Sequence, residues 1–250
     1  MVGSDPGSDP TIVVRFGAVV ANQERRLRRV SLRMRARMAL LGDLGATGER
    51  VDIDLSRGHV DLPRLGLFER CHLARYEFAA ALLPPGSAVG DLACGTAYGS
   101  ALLARTAGRV LGVDDVPRVV ARARSRYGHV ANVEFVCADL RRLDLAGELD
   151  AVISFETLEH FAEPDLLEVL RVFQRALRPR GLLVLSTPYR QPETPLGFHE
   201  TFAIDEPRLA AWLGATGFRA LDLAWQDHDS CVVSPALPRP EYVVCVAERT

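Results

Sequence analysis

FETLEHF, residues 155 to 161, sets two carboxylates and an imidazole within five positions. If Glu156 to His160 opens a helical turn, Glu159 lies about 60° to one side of Glu156 and His160 about 40° to the other, so all three share a face. Such a face can bind a divalent cation, which would polarise a hydroxyl or enol oxygen. Its mostly oxygen donor set suits Mg2+ or Mn2+ over a thiolate-seeking metal. The same residues also admit His160 as a direct base, or a structural role in which Glu156 only caps or hydrogen-bonds locally. His199 is the second candidate. It lies beside Glu200 in TPLGFHETF, a loop with Pro and Gly that follows an apolar run, and loops at such strand ends often carry active sites. There it can serve as a general base, complete a metal site, or be a loop histidine satisfied by a neighbour. Tyr189 shares that strand end.

A row of acids forms a second constellation. In VGDLACGTAYGS, residues 89 to 100, Asp91 closes a short apolar segment and Ala93, Gly95, Thr96, Ala97 and Gly99 follow. Small residues let a backbone turn tightly against a ligand, and the helix that follows presents free N–H groups. Asp114 ends the next apolar run, where a carboxylate can accept both ribose hydroxyls of an adenosine-bearing ligand. A dinucleotide site uses the same acid, but the GxGxxG spacing for a pyrophosphate is absent. Asp139 follows a third run, where it can accept an adenine amino group while the Leu140 N–H reaches a ring nitrogen. Three acids at successive strand ends line the crevice where open α/β sheets bind ligands.

These residues need a scaffold. From Leu67 onward strand and helix candidates alternate: LFERCHLARYEFAAALL, SAVGDLA, YGSALLART, GRVLGVD, VPRVVARARSRY, NVEFVCAD, ELDAVISF, DLLEVLRVFQRAL and GLLVLST. The alternation predicts an α/β fold, a parallel sheet with helices on both faces. A helix over DEPRLAAWLGATGF then precedes two strands, FRALDLAWQD and EYVVCVAER, joined by a long loop. Upstream, residues 1–10 read as a disordered lead and 11–65 as an irregular, partly helical cap, leaving 66–250 as the ligand-binding domain. The cap holds seven arginines between Arg25 and Arg37 on an amphipathic pattern of Leu27, Val30, Met34, Met38 and Leu41, read as a surface helix.

Composition narrows the function classes. The 250 residues are 48% hydrophobic and 25% charged, with a net charge of −2, which argues against a nucleic-acid partner. Five cysteines contain no CxxC pair, so neither a disulfide scaffold nor a thiolate zinc site follows. The polar start and the lack of a long apolar run predict a cytoplasmic protein with no membrane partner.

VGDLACGTAYGS, LGVDD, VCADL, SFETLEHF and LRPRGLLVLSTPYR, in this order and spacing, resemble the class I S-adenosylmethionine-dependent methyltransferases. The likeness is to the branch acting on small molecules, including sugars and natural-product intermediates. It implies a Rossmann-like seven-stranded sheet whose last strand is antiparallel. It also implies that Asp91, Ala93, Gly95 and the nearby backbone hold the methionine end of the cofactor, with Asp114 on the ribose and Asp139 and Leu140 on the adenine. Phe155 joins this cofactor set. The glycine pattern of the family is broken at Ala93 and Ala97, where a methyl group predicts a slightly altered pocket and retained binding. His72, Arg75 and Tyr76 share one helix face. Arg75 can pair with the cofactor carboxylate and Tyr76 can donate to it, or Arg75 forms an Arg–Glu surface pair with Tyr76 in the core. E-x-x-E-H is similar to the metal-binding segment of some quinone-type O-methyltransferases, and the resemblance sets His199 over the acceptor site. The expected activity is Mg2+-assisted O-methylation of a small polar metabolite; the alternatives are N-methylation of an amino sugar or other small amine, and a non-catalytic binding protein on the same fold. The cap and the loop around 188–204 would choose the acceptor, and could form a homodimer interface.

Overall fold

The structure, a computed structural model, describes residues 51–56, 65–193 and 199–250. The Arg-rich helix, the lead and most of the cap read from the sequence lie outside the described residues.

A 16-residue helix, α1 (Leu67–Leu82), precedes β1 (Ala88–Leu92). Then follow α2 (Tyr98–Leu103), β2 (Arg109–Asp114), α3 (Pro117–Tyr127), β3 (Val133–Cys137) and β4 (Leu149–Phe155). The chain continues through α4 (Glu163–Ala176), β5 (Leu177–Pro188), α5 (Glu206–Ala215), β6 (Phe218–Gln226) and β7 (Tyr242–Arg249). The seven strands lie in the order β3-β2-β1-β4-β5-β7-β6. β1 to β5 pair in parallel, and β7 enters antiparallel between β5 and β6. The reversal of strand order at β1 and β4 opens the crevice above their carboxyl ends.

Two apolar cores cover the sheet. Leu73, Phe78, Leu103, Val120 and Tyr127 of α1–α3 pack on one face, and Leu166, Leu170, Phe173, Leu209 and Trp212 of α4 and α5 on the other. Ile53 is buried in the first of these cores, held by a Tyr127 hydroxyl that donates to its carbonyl at 2.9 Å. Residues read as the end of the cap therefore pack into the same body as the sheet. β5 starts at Leu177, earlier than the Gly181 read from the sequence, because Leu149 pairs with Leu177 before a register irregularity. Among the described residues no helix is long and apolar enough to cross a membrane.

Candidate active site

The turn after β1 is built around a buried acid. Asp91 is wholly inaccessible and accepts from Tyr76 Oη at 2.9 Å and Ser100 Oγ at 2.5 Å. It therefore fastens α1 and α2 to the turn and offers no surface of its own to a ligand, and Tyr76 likewise donates inward. Burial pushes the Asp91 carboxyl up to about 6 despite its two hydroxyl donors. A carboxyl raised on folding favours the native state most when protonated. The charge on Asp91 consequently costs the fold about 3 kcal/mol above pH 6. Stability should fall through this group as pH rises from about 4 to about 6. Urea unfolding across that window should show the slope in the parent protein and its loss in Asp91→Asn.

Ala93, Gly95 and Ala97 hold φ of 69°, 53° and 67°, the left-handed region where glycine is at ease. The two alanines accept strain of roughly 1–2 kcal/mol each, and the turn keeps the course that glycine would give it. A Cβ at Gly95 would meet nothing within 4 Å, so the backbone there borders open space. Asp114 Oδ2 accepts from Gly95 N at 3.0 Å and Oδ1 from Val116 N at 3.1 Å, which fixes the carboxylate at the rim of that space. Each carboxylate oxygen can accept more than one hydrogen bond. Asp139 caps a short turn over Leu140–Arg142 and pairs with Arg141 at 2.7 Å. The Arg141 hydrogen bonds hold its carboxyl below the usual range. Leu140 is buried, and Phe155 packs edge-on against Tyr76 at 4.9 Å.

FETLEHF is not one helical turn. Glu156 leaves β4 at φ +51°, with its N–H still donating to Ser186 O at 3.0 Å, and only Leu158–His160 forms a single 3-10 turn. The premise that placed Glu156, Glu159 and His160 on one face therefore falls. Glu156 Oε1 instead receives Arg75 Nη1 at 2.5 Å and Ser186 Oγ at 2.7 Å. Arg75 is fully buried, with its guanidinium 4.6 Å from the Tyr242 ring centroid. Burial opposes its charge, and the Glu156 carboxylate more than offsets that. The pair is thus an Arg–Glu contact as one reading had it, but an interior one. Arg75 Nε and Nη2 remain buried with no hydrogen-bond partner among the described residues.

Glu159 joins a different group. Its backbone carbonyl accepts from Glu200 N at 2.8 Å and Thr201 N at 3.1 Å, which draws the loop after β5 over it and brings His199 alongside. Ligand atoms of Glu159, His160 and His199 all lie within 4.8 Å of one another. The two imidazoles cross at 78° with centroids 5.1 Å apart. Both Glu159 carboxyl oxygens are buried with no hydrogen-bond partner among the described residues. Burial, and then the charge of Glu156, push this carboxyl well above its ordinary range. His199 Nδ1 faces Gln191 Oε1 at 2.9 Å. With the amide oxygen as the acceptor, a neutral imidazole carries its proton on Nδ1. Tyr189 Oη donates to Glu206 Oε1 at 2.8 Å.

Sequence reasoning missed Ser100, Ser186, Gln191 and Tyr242. None sits in a local pattern that carries chemistry; each matters through a partner brought close by the sheet.

Residues 89–181 match a family described as a methyltransferase domain. The chain is 32% identical over 184 residues to a probable S-adenosylmethionine-dependent methyltransferase of Mycobacterium tuberculosis, covering 70% of this chain and 61% of that protein. It is 32% identical over 177 residues to a ubiquinone biosynthesis O-methyltransferase of Xanthomonas campestris, covering 63% of this chain and 71% of that one. The chain thus spans less than two thirds of the mycobacterial relative's length. A methyltransferase structure from Mesorhizobium loti superposes with a TM-score of 0.56 at 21% identity, over 72% of this chain and all of that one. A second structure, the [4+2]-cyclase SpnF, gives a TM-score of 0.58 at 20% identity over 72% of this chain and 81% of that one. The fold is common to both, and only the residues in the crevice can say which chemistry it carries.

Proposed function

Since the chain belongs to the class I S-adenosylmethionine-dependent methyltransferases, we propose that it methylates a hydroxyl oxygen of a small polar metabolite, a sugar or natural-product intermediate. The observation that carries this is His199, held by its Gln191 contact beside Glu159 and His160 in the loop after β5. A neutral amine would need little more than alignment, whereas a hydroxyl needs a group that takes hold of its proton. The Xanthomonas relative, named as an O-methyltransferase, points the same way.

The cofactor supplies an electrophilic methyl group when bound. The residues present fit it: the open space at Gly95 admits a backbone-hugging ligand, and the Asp114 carboxylate is fixed at its rim. Asp114 would take the ribose hydroxyls, and Asp139 with the Leu140 N–H the adenine. Asp91 and Tyr76 act from behind by fixing the turn. On the acceptor side, His199 Nε2 accepts a hydrogen bond from the hydroxyl and orients its oxygen.

A second reading has one observation of its own. Glu159 with two bare carboxyl oxygens, next to two imidazoles, fits a divalent cation that would hold the acceptor oxygen. Both are tested by following labelled methyl transfer into a panel of hydroxyl and amine acceptors, with Mg2+ or Mn2+ and again with EDTA. O-methyl products, lowered about 100-fold by His199→Asn, are expected. Amine products alone would overturn the oxygen assignment, and turnover indifferent to EDTA would remove the cation.

A further inference from the structure

The turn between β1 and α2 is strained, and one of its side chains ties it to a distant part of the chain. Ala93, Gly95 and Ala97 all lie at positive φ, and two of the three are alanines. A strained backbone persists only where its surroundings over-determine it. Part of that hold comes from the sheet and the turn itself. Cys94 N donates to Val113 O at 2.8 Å, Gly95 N to Asp114 Oδ2 at 3.0 Å, and Ala97 N to Cys94 O at 2.9 Å. The rest comes through Thr96, which is buried and whose Oγ1 donates to Val51 O at 2.8 Å, 45 positions earlier in the chain.

Residues 51–56 form neither helix nor strand, yet α3 fixes their course. Ile53 is buried in the core on that face of the sheet. Tyr127 Oη donates to Ile53 O and accepts from Leu55 N at 3.1 Å. The Asp52 carboxylate pairs with both Arg122 and Arg126. Those ion pairs are partly in solvent and worth little, so Ile53 and the Tyr127 hydroxyl supply most of the anchorage. α3 starts at Pro117, just past Asp114. The segment thus joins the helix after Asp114 to the turn after Asp91.

We propose that residues 51–56 are a strap that holds the cofactor turn in its binding course, with Thr96 as the positioning residue through which it acts. The role rests on this turn bordering the cofactor, as read above. Glycine at 93 and 97 would follow the left-handed course without steric cost, whereas alanine tends to relax out of it. The Thr96 hydroxyl opposes that relaxation, because it fastens the residue between Gly95 and Ala97 to a carbonyl that α3 keeps still. Its proton is committed to Val51 and not to a ligand. The strap therefore works through the Gly95 backbone, and it sets the affinity for S-adenosylmethionine.

The test compares Thr96→Val, which keeps the shape and loses the hydroxyl, with Thr96→Ser, which keeps the hydroxyl. Tyr127→Phe joins them, because it loosens the strap without touching the turn. Calorimetry should show the S-adenosylmethionine Kd raised about fivefold in Thr96→Val and in Tyr127→Phe, and within about twofold of the parent in Thr96→Ser. Thr96→Val combined with Tyr127→Phe should bind no more weakly than Thr96→Val alone, since both cut one link. In an Ala97→Gly background the Thr96→Val effect should shrink to less than about twofold, because much of the strain is then relieved. Without cofactor, the Gly95 amide should exchange with solvent about fivefold faster in Thr96→Val and in Tyr127→Phe, while the Val152 amide of β4 keeps its rate. Unchanged Kd and exchange in Thr96→Val, or a Tyr127→Phe variant that behaves as the parent, would overturn the strap. Faster Gly95 exchange with an unaltered Kd would leave the strap standing and overturn instead the reading that sets this turn beside the cofactor.

Discussion

Arg75→Leu should weaken S-adenosylmethionine binding, by loosening the end of β4 that Glu156 occupies, and cost the fold about 3–5 kcal/mol. The guanidinium is fully buried, and its partner Glu156 is 15% exposed at the side chain. Removing the cation leaves a carboxylate in the interior with Ser186 as its remaining donor, and the Tyr242 face loses the charge above it. Adding Glu156→Gln to Arg75→Leu should recover most of the stability, because no unpaired charge then remains. It should not recover full binding, since the guanidinium that ties α1 to Glu156 and Ser186 is gone. Urea unfolding and calorimetry on the single and double variants separate the two effects. Full binding retained in Arg75→Leu would overturn the link between the guanidinium and the cofactor site.

Gly99→Ala should be nearly as damaging through a purely steric route. A Cβ at this position would lie 2.1 Å from Tyr76 Cζ and 2.2 Å from Cε1. The ring cannot step aside, because Tyr98 and Phe155 pack against it and its hydroxyl is tied to Asp91. Either α2 moves away from α1 or the phenol leaves the acid, and both disturb the turn that Asp91 organises. We expect a loss of about 3 kcal/mol, seen as a lower Tm, together with a weakened S-adenosylmethionine Kd. Tyr76→Leu placed on top of Gly99→Ala should regain part of the Tm and none of the affinity. A neutral Gly99→Ala would mean that α1 and α2 stand further apart than described.

The sheet was legible because each strand is a short apolar run between turn residues, and each helix carries a different period. VLGVD and AVISF could be strands in any fold of this class, and β2 and β4 are where they fell. The acids closing β1 and β2 were also legible, although their division of labour was not. Asp91 turned inward because two hydroxyls, from Tyr76 and Ser100, compete for it. The helical reading of FETLEHF failed at one residue. Glu156 stays on the sheet ladder for one more hydrogen bond and turns at positive φ, and the cation that captures it lies 81 positions away in the chain. Pairings of that range leave no periodic trace. His199 was legible as a strand-end histidine, but its company was set by the Glu159 carbonyl that gathers residues 200 and 201. Ala93 and Ala97 show a third case: composition signals a departure, and only the backbone angles show that the alanines simply bear the turn's strain.

The placement of β7 between β5 and β6 has a consequence for the making of the protein. Synthesis runs from β5 to β6 before residues 242–249 exist, so a nascent chain carries β5 with a bare edge and β6 with no sheet to join. Apolar strand edges of this kind invite pairing with other chains. The interval before β7 pairs therefore leaves an apolar edge of β5 open to other chains. Slow translation there would lengthen it, and a chaperone that shields β5 would shorten the risk. Tyr242, the platform beneath Arg75, arrives with the same strand. Closure of the sheet and completion of the crevice are then one late event, and a half-made chain holds no competent site.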